Sequence, residues 1–299
     1  MTLLFELPDK RILSYAIFGD PESGKTVFHH HGFPSSHDEA SGMGHVAREL
    51  GVRLIAPDRP GYGSSTYQPS RRILDWPADL LALADHLQVD RFAVLGVSGG
   101  SPYALACCHQ LPKSRCVGIG ILSGLYPLSL GLSGMMITNR ILFAVAQWST
   151  WLIAAVIDFK IGRIARDTDR PERLERELAA TFSSRPKEDR DTWDRSPDFR
   201  QAMIGGLKGS LQAGGKAAAW EAYIYGHDWG FDIKDLKVEP GTMVMWHGTK
   251  DVNVPVTMAE KASKMIRNAE LRVSKEDAHC SIMLAKEEEV VRTMSNMLG

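Results

Sequence analysis

Three residue types, widely separated in the chain, carry the sequence's clearest chemistry: a serine, an aspartate and a histidine. Ser98 sits in Gly96-Val97-Ser98-Gly99-Gly100, which fits the pattern G-x-S-x-G. The apolar run Phe92 to Val97 precedes it and a helix-like run follows. That strand–turn–helix context forces the serine into a tight turn, and small neighbours let its hydroxyl stand clear. A serine hydroxyl is a weak nucleophile until a base takes its proton. In this arrangement the acid and then the histidine base follow the serine along the chain. Asp251 comes directly after the strand-like run Thr242 to His247, and His279 follows 28 positions later. That interval holds one helix and one strand, so both residues fall on loops at the same sheet edge as Ser98. Acyl transfer also needs backbone donors for a developing oxyanion. The N–H of Gly99, at the start of a helix, is one. The N–H of Phe33, in the loop His31-Gly32-Phe33-Pro34, is the expected second.

Other residues compete for these roles. Asp228, Asp232, Glu276 and Asp277 are alternative acids, but only Asp251 follows a strand at the right distance from His279. His37, His45, His86 and His109 fall in helices or their flanks and are expected at the surface or in packing. His227 and His247 come too early in the chain to be the last triad member. The run His29-His30-His31 could suggest a metal, yet neighbours on a strand point to opposite faces and do not converge. No metal and no cofactor is expected.

The elements that must position these residues alternate. Strand candidates are Ile12 to Phe18, Thr26 to His31, Val52 to Ala56, Phe92 to Val97, Val117 to Leu122, Thr242 to His247 and Leu271 to Val273. Helix candidates are Ser41 to Leu50, Pro77 to Leu87, Pro102 to Gln110, Thr257 to Ile266 and Lys286 to Met297. Such alternation predicts an α/β protein with a mostly parallel sheet and helices on both faces. The rhythm breaks from about 127 to 228, and an insertion of roughly 100 residues exceeds any ordinary loop. The expected organisation is a core of residues 1–126 and 229–299, with a mostly helical insertion at 127–228.

That insertion is uneven. Arg140 is the only charged residue between Cys116 and Ile157, whereas Arg163 to Arg200 is densely charged. The segment from Ile141 to Ile157 is short for a bilayer span and is broken by Gln147, Ser149 and Thr150. It is expected to be an apolar helix inside the protein, with a peripheral membrane contact as the alternative. The whole chain of 299 residues has 35 Lys+Arg against 36 Asp+Glu, a net charge of −1, which argues against a nucleic-acid partner. Its 44% hydrophobic and 24% charged residues exclude wholesale disorder. Cys107, Cys108, Cys116 and Cys280 show no paired spacing. With no apolar leader at the N-terminus, a cytoplasmic location is expected.

These residues resemble the α/β-hydrolase family. The similarity lies in the HGFP loop (His31 to Pro34), in Pro57-Asp58-Arg59-Pro60-Gly61-Tyr62-Gly63-Ser64-Ser65, in the Gly96 to Gly100 turn, in the Gly248 to Pro255 loop and in the His279 loop. The resemblance implies an eight-stranded sheet with a helical cap, matching the 127–228 insertion, and structural roles for Asp58 and Arg59. Haloalkane dehalogenases and epoxide hydrolases share an HGxP loop but place aspartate where Ser98 stands, so the serine points away from both chemistries. Proline iminopeptidases carry a tryptophan after the serine, where this chain has Gly99. The segment Gly226 to Asp232 resembles the return from cap to core in some hydrolases and reads as structural.

The expected activity is hydrolysis of an ester or lactone through an acyl-enzyme on Ser98. If Met135, Met136, Trp148 and Trp151 line a cavity under the cap, the small-molecule substrate is apolar; otherwise they pack the cap onto the core. Acyl transfer, C–C bond hydrolysis, a lyase step or aminopeptidase action would use the same triad. A ligand-binding receptor with little turnover is the alternative from a different class.

Overall fold

The computed structural model describes residues 1–299. Eight strands form one sheet: β1 Leu3–Glu6, β2 Ile12–Gly19, β3 Thr26–His30, β4 Arg53–Pro57, β5 Phe92–Val97, β6 Cys116–Leu122, β7 Met243–Gly248 and β8 Glu270–Ser274. Their order across the sheet is β1-β2-β4-β3-β5-β6-β7-β8. The β1–β2 and β2–β4 pairs are antiparallel, and every other pair is parallel. The strand candidates therefore fall where the apolar runs place them, within a residue or two. β1 was not anticipated. It is a short edge strand whose residues are at most half-buried, so its composition carries little burial signal.

β5 lies mid-sheet and is buried along its whole length. Its side chains divide by parity. Phe92 and Val94 join one apolar cluster, and Ala93, Leu95 and Val97 join another on the opposite face. Helices α2 (Trp76–His86) and α3 (Ser101–Gln110) pack on the first face, while the other is covered by α1 (Gly44–Glu49) and α13 (Glu287–Leu298). Burial on both faces fixes the register of β5, because a one-residue slip would exchange the two sets of side chains. The sheet thus holds the C-terminal ends of β3, β5, β6 and β7 side by side, and the site is built on these ends.

Every regular element between β6 and β7 is helical. α4 (Ile137–Ala146) and α5 (Thr150–Ile157) come first, and α5 runs through a π turn at Asp158–Gly162 into α6 (Arg163–Ala165). Then follow α7 (Glu172–Ser183), α8 (Lys187–Arg195), α9 (Pro197–Leu211) and α10 (Lys216–Tyr225). After β7 come α11 (Val256–Met265), β8 and α12 (Ser281–Ala285), which leads into α13.

The apolar segment at 141–157 is not the interior helix expected from its composition. Ser149 caps α5 by accepting from the Leu152 N–H at 3.1 Å, which splits the segment into two helices. Each helix buries only one narrow side: Phe143 and Ala146 on α4, and Ile153 on α5. Both pack on α10, and their outer sides face solvent. Trp148 and Trp151 stand on that outer surface, 91% and 77% exposed, and do not line an internal cavity. Met135 is buried in the main core. No helix is long and apolar enough to cross a membrane.

Candidate active site

Ser98 follows the last residue of β5 and opens the turn into α3. Its φ of +49° is a left-handed conformation that L residues seldom adopt. The turn is possible because of its glycines. A Cβ on Gly100 would lie 2.1 Å from the carbonyl oxygen of His30, and one on Gly96 would lie 2.8 Å from Ala104. Small residues on both sides therefore let the serine sit proud of the sheet, as the sequence pattern implies.

His279 approaches from the loop between β8 and α12. Its Nε2 lies 3.0 Å from Ser98 Oγ and its Nδ1 lies 2.7 Å from Asp251 Oδ2. Three residues distant in sequence thus form one hydrogen-bonded chain, as anticipated. Asp251 is buried on the loop after β7, and its Oδ1 accepts from the N–H groups of Asn253 and Val254. Burial alone would raise its pKa. The imidazoles of His279 and His247 outweigh that and hold the carboxyl far below the usual carboxylate range. Ser123, at the end of β6, donates to the His279 carbonyl at 3.0 Å and fixes that loop from below.

His247 is a partner that the sequence did not reveal. Its Nε2 donates to the Val254 carbonyl at 2.8 Å and lies 3.2 Å from Asp251 Oδ2. It is excluded as the base by its place in the chain, yet it shares the acid.

Phe33 packs against Gly99 so closely that a Cβ on the glycine would lie 3.3 Å from the Phe33 nitrogen. The Phe33 N–H has no acceptor within the protein. Next to it, Glu39 accepts the Gly32 N–H at 2.9 and 3.1 Å and ties the loop down. Burial pushes the Glu39 carboxyl up, against the lowering effect of that N–H. His29, His30 and His31 diverge. His29 lies 3.9 Å from Glu39, His30 accepts from the Trp76 indole at 3.2 Å, and His31 stacks edge-on with Tyr62. His37 is neither exposed nor merely packed: its Nδ1 is 2.6 Å from Asp58 Oδ2. That bond gives Asp58 a structural role, which the resemblance implied.

Behind this loop lies a buried ionic cluster centred on Glu221 of α10. Glu221 accepts from Arg59 at 2.6 and 3.0 Å, from Arg71 at 2.9 Å, and from the hydroxyls of Tyr62 and Tyr103 at 2.9 and 2.8 Å, and the Tyr225 hydroxyl lies 3.0 Å from it. Burial alone would raise the Glu221 pKa, but the two guanidiniums win and keep the carboxyl ionised far below its ordinary value. The cluster reaches the site at two points. Arg59 donates to the carbonyls of His31 and Gly32 at 2.5 and 2.9 Å, and Tyr225 donates to the Gly99 carbonyl at 2.7 Å. Both candidate oxyanion residues are thus held by neighbours bonded to one helix of the inserted segment. The sequence signal was faint: a single acid in the otherwise uncharged run Ala217 to Tyr225.

A cavity of about 290 Å³ lies on the α1 side of the sheet; it reaches Val97 but is not lined by Ser98, Gly99, Phe33 or His279. Val97, Met43, Phe199 and Met283 form apolar walls, and Glu39 is among its polar lining.

Comparisons with known proteins agree with this architecture. Over 105 residues the chain is 28% identical to an uncharacterized hydrolase, YcgS, of Bacillus subtilis; the alignment covers 35% of this chain and 36% of that protein. The chain therefore matches only about a third of that relative's length. Among solved structures it is similar to an esterase from Exiguobacterium antarcticum, with TM-score 0.66, 19% identity and full coverage of both chains. A thermophilic esterase from Thermogutta terrifontis gives TM-score 0.66 at 19% identity, covering 100% of this chain and 98% of the other. An enol-lactonase from Burkholderia xenovorans gives TM-score 0.61 at 15% identity, covering 99% of each chain. At these identities the structural likeness speaks to the fold. The model of the α/β hydrolase fold family matches residues 25–286, which takes in every strand but the first two and every residue of the hydrogen-bonded chain. By that match, this chain belongs to the α/β-hydrolase family.

Proposed function

We propose that the protein is a serine hydrolase that cleaves an ester or lactone of a small apolar molecule through an acyl-enzyme on Ser98. The observation that carries this reading is His279, bonded to Ser98 Oγ on one nitrogen and to Asp251 on the other. In the proposed reaction Ser98 Oγ attacks the carbonyl carbon and His279 Nε2 takes the hydroxyl proton. Asp251 orients the imidazole and offsets its positive charge. The carbonyl oxygen becomes an oxyanion next to the N–H groups of Phe33 and Gly99. Collapse expels the alcohol, which takes the proton from His279. Water, deprotonated by the same imidazole, then releases the acid and restores Ser98.

The 127–228 segment is the cap in this reading, since α10 supplies Tyr225 to the serine turn. The esterase and enol-lactonase neighbours fit the same bond class. A cytoplasmic setting is supported by the four unpaired, buried cysteines.

The test is a panel of acyl esters and lactones of graded chain length, assayed with the wild type and Ser98→Ala, alongside labelling by a fluorophosphonate. Turnover by the wild type, lost by at least about 10³-fold in the variant, is expected. Equal turnover by both proteins, or a wild type that resists the label, would overturn the assignment of Ser98.

A further inference from the structure

The outer face of α4–α6 has a composition that the proposed reaction does not use. Of eleven large hydrophobic residues exposed in the whole chain, seven lie between Ile137 and Phe159. Ile141, Trp148, Trp151, Leu152, Val156 and Phe159 form its solvent side, with Phe159 71% exposed. On the continuous run of α5, π turn and α6, the exposed positions 151, 152, 155, 156, 159, 160 and 163 recur with helical period and make one stripe. Apolar side chains fill it until Lys160 and Arg163, and Arg140 on α4 is a third exposed cation. The only acid between residues 137 and 163 is Asp158, which is half-buried and paired with Arg166 at 2.9 Å. The face is therefore apolar, bears two tryptophans and has cations without a balancing exposed anion.

We propose that this face docks the protein on an anionic lipid surface. The charge pattern selects that occupant. In a two-fold contact with a second copy, the face would meet itself, with its cations opposite an equally acid-free surface. Lipid phosphates and carboxylates supply the missing negative charge at the depth where lysine and arginine reach the headgroups. Tryptophan suits the same boundary, having an apolar body and one polar N–H. The helices are too short to span a bilayer, so they lie along it with the apolar stripe immersed. α4 and α5 rest on α10, the helix that carries Glu221 and Tyr225. The docked face is one helix layer from the Ser98 turn, close to where an apolar ester would partition.

Docking is independent of the ester reading and can be measured on Ser98→Ala, so the two ideas fail separately. The experiment is flotation with phosphatidylcholine vesicles, with and without phosphatidylserine, alongside tryptophan emission. Flotation with the phosphatidylserine vesicles and a blue shift are expected. Trp148→Ser with Trp151→Ser and Phe159→Ser should lower partitioning by at least about tenfold. Arg140→Gln with Lys160→Gln and Arg163→Gln should remove the preference for phosphatidylserine, about fivefold for each charge. All six positions are exposed; should the apolar variant fail to fold, the charge variant decides alone. Absence of wild-type flotation, or flotation unchanged in the folded variants, overturns the proposal. A concentration-dependent dimer that the apolar variant dissolves would also overturn it, by assigning the face to a second copy.

Discussion

Asp251 is bound on both oxygens, and two imidazoles share one of them. His279 takes Oδ2 at 2.7 Å and His247 lies 3.2 Å from the same atom, while Oδ1 is occupied by two backbone N–H groups. A carboxylate so enclosed has one orientation, and its orientation sets that of the base. His247 is thus a positioning residue that acts through Asp251. Replacing it by alanine removes its bond to the Val254 carbonyl, which holds the acid's loop, and the imidazole packed 3.2 Å from the acid. The expected result is a kcat lower by about tenfold, or roughly 1.4 kcal/mol in barrier, with KM unchanged because the ring lies behind the acid and away from Ser98. An unaltered kcat would mean that His279 and the loop N–H groups suffice. The grouping of Ser98, Asp251 and His279 was legible, because each follows a strand and their chain order is constrained. The support from His247 was not, because a residue four positions before the acid becomes its neighbour only when the loop after β7 turns back.

At the scale of elements, two helices of the inserted segment hold the site from above. Asp189 of α8 accepts the N–H groups of Cys280 and Ser281 at 2.8 and 2.9 Å, directly after His279. It acts as an external cap for the start of α12, which supplies no cap of its own. Asp189→Ala leaves two buried donors unsatisfied. It should cost about 1–3 kcal/mol in stability and lower kcat as the His279 loop loosens. Urea unfolding and steady-state kinetics on the same variant would check both; a loss of stability with full kcat would confine Asp189 to folding. These long-range bonds explain where sequence reading stopped. β5 and β6 were legible because continuous apolar runs have few other fates. α4 and α5 were misjudged because an apolar composition does not say whether the second side of a helix has anything to pack against. Asp189 was invisible and Glu221 nearly so, because one acid in a helix looks the same whether it meets solvent or a buried partner.

For the whole molecule, buried acids and buried histidines set how stability responds to pH. Glu221 and Asp251 both have folded pKa values below the ordinary carboxylate range. Unfolded chains release them to about 4.3 and 3.9. A lowered folded pKa gives stability that is fully present above the unfolded value and is lost as pH falls. These two carboxylates should therefore lower the denaturant midpoint below about pH 4.5 as their unfolded forms take up protons, adding to a decline that sets in at about pH 6.5 because burial holds the folded His29, His30 and His31 below the unfolded histidine value. Glu221→Gln tests the larger share: it leaves Arg59 and Arg71 buried without their carboxylate. It should cost about 3–5 kcal/mol at neutral pH and flatten the acid limb, as followed by urea titrations between pH 3 and 7. A variant with wild-type stability and the same acid limb would show that Glu221 does not govern either. The sheet order has a further consequence in time. The serine turn leaves the ribosome long before His279, since 181 positions separate the two and the Glu221 helix is made between them. A nascent chain can pair β3, β4, β5 and β6 while Ser98 still lacks His279 and the Gly99 carbonyl still lacks Tyr225. The hydrogen-bonded chain at Ser98 thus closes only late in synthesis, after α4 to α10 have been made.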